Sequence, residues 1–208
     1  MIRRFLSKIL TPALRALSRL MPPDDPWERF AYRVPPHAFG SGNHHDFSWY
    51  LEGESHVTVA SLDDVQERLL GCVYVKDPEL FREADFWQHP TTFERLRQGD
   101  CEDHALWAWR KLVELGADVE LISGRTRGDD GSLGGGHVWV LLRENGDTFV
   151  LEATAKSKDR MLRPLAEVRA RYLPSFGVDR TSQRFAYNGY LVDFGNDTRE
   201  TSQHRTHA

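Results

Sequence analysis

Between Gly99 and Gly116 the apolar positions Cys101, Ala105, Ala108, Leu112 and Leu115 recur at helical spacing, which predicts a helix with that stripe turned inward. Asp100 is its N-cap candidate, Glu102 and Asp103 put negative charge in the first turn, and Gly116 supplies a left-handed position after the last turn. Further on the period changes to two. His137 to Arg143 and Thr148 to Thr154 flank Asn145-Gly146, which predicts a hairpin closed by a two-residue type I′ turn. In that register Glu144 faces Asp147, and the ladder runs on to His137 opposite Thr154. Val138, Val140, Leu142, Phe149, Leu151 and Ala153 then share one wholly apolar face, which a slip of one residue would scramble. His137, Trp139, Glu152 and Thr154 fall on the opposite face, with the imidazole diagonal to the Glu152 carboxylate.

The remaining pattern is weaker. Ser61 caps an expected helix through Leu62, Val65, Leu69 and Leu70, with Asp63 and Asp64 in its first turn. Val119 to Ser123 reads as a strand, and Pro164 to Arg171 as a short helix with Pro164 in its first turn. Phe185 to Tyr187 and Tyr190 to Phe194 suggest closing strands. Phe81, Phe86 and Trp87 are expected as packing anchors beside the Cys101 helix. Arg125 to Gly136 reads as a loop ending in Gly134-Gly135-Gly136. Those glycines would let a substrate backbone approach His137, or let the loop act as a lid. Residues 22–60 open with Pro22-Pro23-Asp24-Asp25-Pro26 and read as linker and irregular chain. His44, His45 and Asp46 there fit a polar loop better than a metal site, because no matching cluster accompanies them. The expected organisation is a basic helix at 1–21, the irregular segment 22–60, one α+β domain at 61–195, and a polar, disordered tail at 196–208.

Residues 1–21 stand apart. Arg3, Arg4, Lys8, Arg15 and Arg19 have no acidic residue among them, while Ile2, Leu6, Ile9, Leu10 and Leu17 trace one helical face interrupted at Pro12. Charges break every apolar run short of the ~18 residues a membrane span requires, and no small-residue cleavage site follows. Two readings stay open: a cationic helix lying on an anionic membrane surface, or a terminal helix docked on the protein body or a partner. The location expected from this is cytoplasmic, with contact to a membrane surface; the periplasm is the alternative. A net charge of −4 over 208 residues argues against nucleic acid as a partner. The two cysteines, Cys72 and Cys101, do not make a disulfide framework, although a bridge between them would silence either thiol. Cys72, in an apolar run, is expected to be buried and inert.

Chemistry enters at Cys101. On its own it reads as a small buried hydrophobe, and His137 and Glu152 alone read as ordinary strand residues. Together they make a different case. A thiol at a helix N-terminus faces unpaired N–H groups that favour thiolate, and an imidazole and a carboxylate share one face of a later hairpin.

Gly99-Asp100-Cys101-Glu102-Asp103 with its following helix, then His137-Val138-Trp139-Val140, resembles the transglutaminase-like cysteine peptidases of bacteria. Asp85-Phe86-Trp87-Gln88-His89-Pro90 is similar to the Trp-x-x-Pro run these proteins carry ahead of the nucleophile. The resemblance spans residues 61–154. It implies a papain-like, transglutaminase-like α+β core in which the nucleophile helix packs on an antiparallel sheet. It also implies Cys101 as nucleophile, His137 as base, Glu152 in the third position, and a protein or peptide as substrate. The chain departs from the family at that third position, where aspartate is usual. Gln88 is a candidate oxyanion donor, with the Cys101 amide as the other. The chemistry requires no cofactor, but some adhesin-cleaving relatives bind calcium through acids flanking the cysteine, here Asp100 and Glu102. The rival to an enzyme is a catalytically silent binding module that keeps the fold. Oligomeric state is not legible.

Overall fold

The computed structural model describes residues 25–187, the side chains of residues 30–32 excepted. The expected basic helix at 1–21, the strand at 190–194 and the tail at 196–208 lie outside the described residues. In chain order the elements are β1 (Arg29–Arg33), α1 (Leu62–Leu70), β2 (Val73–Tyr74), α2 (Asp77–Leu80), α3 (Pro90–Leu96), β3 (Gln98–Gly99) and α4 (Cys101–Glu114). There follow β4 (Asp118–Arg127), β5 (Leu133–Glu144), β6 (Asp147–Leu151), α5 (Lys158–Met161), β7 (Leu162–Pro164), α6 (Leu165–Val168), β8 (Tyr172–Asp179) and β9 (Arg184–Tyr187). The fold class is α+β. Seven strands form one antiparallel sheet in the order β1-β9-β8-β4-β5-β6-β7, and β2 and β3 make a separate parallel pair.

The β5–β6 hairpin has the expected register, from Glu144↔Asp147 to Val140↔Leu151, with Asn145 and Gly146 both at positive φ as a type I′ turn requires. Val138, Val140, Leu142 and Leu151 pack against α4, whose Ala105, Leu106, Ala108 and Leu112 are fully buried. The opposite face is covered as well. Trp139, Leu141 and Val150 pack with Ile122, Val168, Tyr172, Phe185 and Tyr187 in a second, smaller cluster under Trp27 and Leu165.

The segment read as linker does more than connect. β1 pairs with β9, and Val34, Phe39, Phe47 and Tyr50 enter the main core. Polar groups of α4 hold the stretch in place. Arg110 donates to the carbonyls of Tyr50, Glu52 and Gly53, and Lys111 bonds Ser55 Oγ and the Val57 carbonyl beside the buried Glu94. Proline and glycine spacing in 22–60 hides this, because the ties are single side chains reaching an irregular backbone. His45 stacks on Trp49 and Asp46 pairs with Arg184, so neither belongs to a metal-competent group among the described residues. No helix among the described residues is long and apolar enough to cross a membrane.

Candidate active site

Cys101 is the first residue of α4, with Asp100 as its N-cap in extended conformation. Asp103 Oδ2 accepts from the Asp100 amide at 3.3 Å, and the Asp103 carboxylate also takes the amide (3.0 Å) and the side-chain Nε2 (2.6 Å) of Gln88. Gly99 makes this junction possible: a Cβ there would stand 2.3 Å from Asp103 Oδ2 and 2.6 Å from Gln88 Nε2. Gln88 Nε2 is further committed to the Gln98 carbonyl at 2.9 Å. Gln88 is therefore a buried brace for the helix N-terminus, and not the oxyanion donor. Trp87 is a buried packing anchor as expected, while Phe86 meets Phe81 at a tilt of 48° and is exposed.

The partly buried Cys101 sulfur meets two groups. Its S–H donates to Glu102 Oε2 at 3.2 Å, and the backbone N–H of Val138, the residue next to His137, acts on it to favour the thiolate. The reason lies in the sheet. β6 pairs with β5 only as far as Val140↔Leu151, and the Glu152 amide continues the rungs to the β7 side by bonding the Met161 carbonyl, so among the described residues no strand lies opposite Val138 on the β6 side. The expected pairing of His137 with Thr154 is thus absent. His137 and Glu152 come together all the same, with Nε2 and Oε2 2.6 Å apart. A carboxylate can only accept, so the proton of that bond sits on Nε2. Thr154 Oγ1 donates to Glu152 Oε1 at 2.6 Å and the Tyr172 hydroxyl to Oε2 at 3.0 Å. Burial works against the Glu152 charge, but His137, Thr154 and Tyr172 outweigh it and hold the carboxyl below its ordinary value. Tyr172 was not legible in the sequence, since it arrives from β8 across the second cluster.

The electrostatics differ from the helix-terminus expectation. Burial first, then the charges of Glu102 and Asp100, push the Cys101 thiol well above its usual range, and the Val138 N–H only partly offsets them. Glu102 itself is raised to about 11 by burial and by Asp100, and Asp77 to about 6, chiefly by burial. The sulfur stands at the edge of a carboxyl cluster. Oxygens of Asp77, Asp100 and Asp103 lie within 4.8 Å of one another, as do those of Asp77, Asp85 and Glu102. Asp77 and Asp103 are 1 % exposed and Glu102 5 %, and Asp77 Oδ1 and Asp100 Oδ1 are buried with no hydrogen-bond partner. Buried acids without cations are costly, and unpartnered buried oxygens of this kind suit a hard, oxygen-seeking divalent ion. The residues present fit calcium.

Both cysteines are free thiols. Cys72 is buried, its S–H on the Arg68 carbonyl at 3.3 Å, and burial pushes its thiol up as expected of an inert cysteine.

No family model matches the chain, and no curated protein is similar to it. Among solved structures, Legionella pneumophila LapG is similar at 14% identity over 92% of this chain and 96% of that one, with a TM-score of 0.46. Its calcium-bound form gives 14% identity, 85% and 87% coverage and a TM-score of 0.46. The EGTA-treated form gives 15% identity, 80% coverage of each chain and a TM-score of 0.43. No residue assignment follows from likeness at this level.

Proposed function

We propose that the chain is a thiol-dependent amide hydrolase acting on protein or peptide substrates, with a Cys101–His137–Glu152 triad. The observation that carries this reading is the His137–Glu152 pair, Nε2 and Oε2 2.6 Å apart. Cys101 supports it from the first position of α4, with the amide of Val138, next to His137, favouring its thiolate. With Nε2 bonded to Glu152, Nδ1 is the nitrogen that takes the thiol proton. The sulfur then attacks the carbonyl carbon, and the oxyanion is met by the Cys101 amide at the start of α4. Imidazolium, stabilised by Glu152, returns its proton to the leaving amine, and water cleaves the resulting thioester. Transfer of the same acyl group to an amine gives a transglutaminase-type product, so both outcomes belong to one apparatus.

Asp77, Asp100 and Glu102, with Asp85 and Asp103 around them, would hold a calcium ion. Bound there, the ion would cancel the negative field that raises the thiol and the carboxyls. A peptide vinyl sulfone, which captures a nucleophilic thiol, tests the assignment in calcium buffer. Labelling is expected to vanish in Cys101→Ala and to persist in Cys72→Ala. Equal labelling of Cys101→Ala would remove the nucleophile, and a folded chain inert throughout would be the silent binding module instead. Residues 1–21, basic and apolar-patterned, are proposed as a contact to anionic membrane surfaces. Equal pelleting on anionic vesicles with and without residues 1–21 would remove that idea.

A further inference from the structure

β5 is longer than the strand beside it. β6 covers Val140 to Glu144 only, so among the described residues Leu133 to Trp139 continue with β4 on one side and no strand on the other. A two-residue loop closes on a pair that exchanges both backbone bonds, here Glu144 and Asp147. Alternation then turns the even-numbered residues of β5 toward β6. Val138 obeys this, its amide acting on the Cys101 thiol where a strand would have been. Gly136 is next in the series. The register shift of β5 lies beyond it, between Gly136 and Leu133, so the alternation still holds there. Its N–H and C=O point out along the open edge, and among the described residues nothing bonds to them.

That edge is bare. Gly135 and Gly136 are exposed, and a Cβ on either would meet no atom within 4 Å. Neither has a positive φ, so backbone conformation does not call for glycine at these places. What the missing side chains leave is room for a second backbone against the strand.

We propose that the substrate binds as an extended segment laid antiparallel on this edge, one of its residues exchanging both backbone hydrogen bonds with Gly136. The segment continues the line of β6 past Leu151. At ~3.4 Å per residue, the level of Val138 lies about 7 Å along it, so a carbonyl one or two residues from the paired position arrives at Cys101. The substrate class this selects is unstructured or locally unfolded chain, read through its backbone. Helical segments and small free amides gain nothing from the edge. The inference rests on Cys101 as the nucleophile.

The test compares acryloyl-Ala amide with acryloyl-Ala-Ala-Ala-Ala amide, whose residues follow the reactive group C-terminally as the antiparallel direction past Leu151 requires, on the full chain in calcium buffer, with iodoacetamide reading the thiol alone. The longer probe is expected to label Cys101 at least ~10-fold faster, the scale of one or two net hydrogen bonds. Gly136→Pro, which deletes the donor, should abolish that gain, and Gly136→Ala should keep it. Iodoacetamide rates measure the thiol itself in each of the three proteins, and the probe rates are taken relative to them. A series of long probes with each amide in turn replaced by an ester removes the substrate N–H that donates to the Gly136 carbonyl, the other bond of the pair, without altering the protein, and one position should lose the gain. Equal rates for the two probes, or a gain that survives both Gly136→Pro and every ester, overturns the docking while Cys101 remains reactive. Failure of Cys101 to react with any of the three reagents overturns the nucleophile and the docking together.

Discussion

Glu152 reaches His137 from a turn and not from a ladder position: the carboxylate sits one residue past the end of β6, yet its Oε2 lies 2.6 Å from Nε2. Thr154 and Tyr172 fix where that carboxylate stands, so the side chain's length is matched to the turn.

Glu152→Asp is therefore expected to weaken the site even though aspartate is the residue usual in the family it resembles. The shorter side chain keeps the charge but cannot hold Thr154, Tyr172 and His137 at once. Vinyl sulfone labelling of Cys101 should slow by about 10-fold in Glu152→Asp and by about 10²–10⁴-fold in Glu152→Gln, where the imidazolium loses its counter-charge. A Glu152→Asp protein as fast as the parent would show that reach is not the constraint.

Tyr172→Phe should cost about 1.5–3 kcal/mol of stability in chemical denaturation, the scale of a lost hydrogen bond to a charged group. Cys101 labelling should fall less than in Glu152→Gln, because Thr154 and His137 still hold the carboxylate. Because Glu152 loses a group that favours its charge, its carboxyl should titrate higher, and the acid limb of the labelling profile should move to higher pH. An unmoved limb would reduce Tyr172 to packing.

Calcium should raise the melting temperature, by the equivalent of about 2.7 kcal/mol at a hundred times its dissociation constant, and chelation should reverse the gain. Asp77→Asn removes a buried ligand candidate and should abolish the response, while Lys158→Gln, which breaks an exposed ion pair from α5 to Asp63 and Glu67 of α1, should not. A calcium response undiminished in Asp77→Asn would place the ion elsewhere.

His104, buried one turn below Cys101 with Nδ1 2.7 Å from the Asp100 carbonyl, has its pKa lowered to about 4 by burial. A folded-state pKa below the unfolded one means the unfolded chain binds the proton first. The stabilisation is whole above pH ~6.5 and is lost as pH falls toward 4, up to about 3 kcal/mol in all. Denaturation curves across that window should flatten in His104→Phe, whose ring replaces the imidazole beside Phe93. An unchanged slope would assign the acid sensitivity to other groups.

The hairpin and the Cys101 helix were legible because their signals are local. Asn145-Gly146 fixes a turn, and one apolar face fixes Val140 opposite Leu151. What the pattern could not show was convergence. Asp77 and Asp85 approach Glu102 from separate segments, and burial, with the charges of Glu102 and Asp100, reverses the thiol shift expected from a helix terminus alone. Tyr172 comes from a strand two places from β5, and Gln88 turned out to be committed to Asp103. Periodicity reports which face a residue occupies, while these outcomes depend on which other segment arrives there.

Arg110 and Lys111 fasten the far end of α4 to the backbone of residues 50–57, with Glu94 as a buried counter-charge. Pulling that helix out while the rest stays folded would leave the buried Glu94 carboxylate and the carbonyls of residues 50–57 without their donors in one step. The element carrying the sulfur is therefore among the last to let go. Its amides and those of residues 50–57 are expected to exchange as one slow unit, while the bare rim of β5 opens without disturbing it.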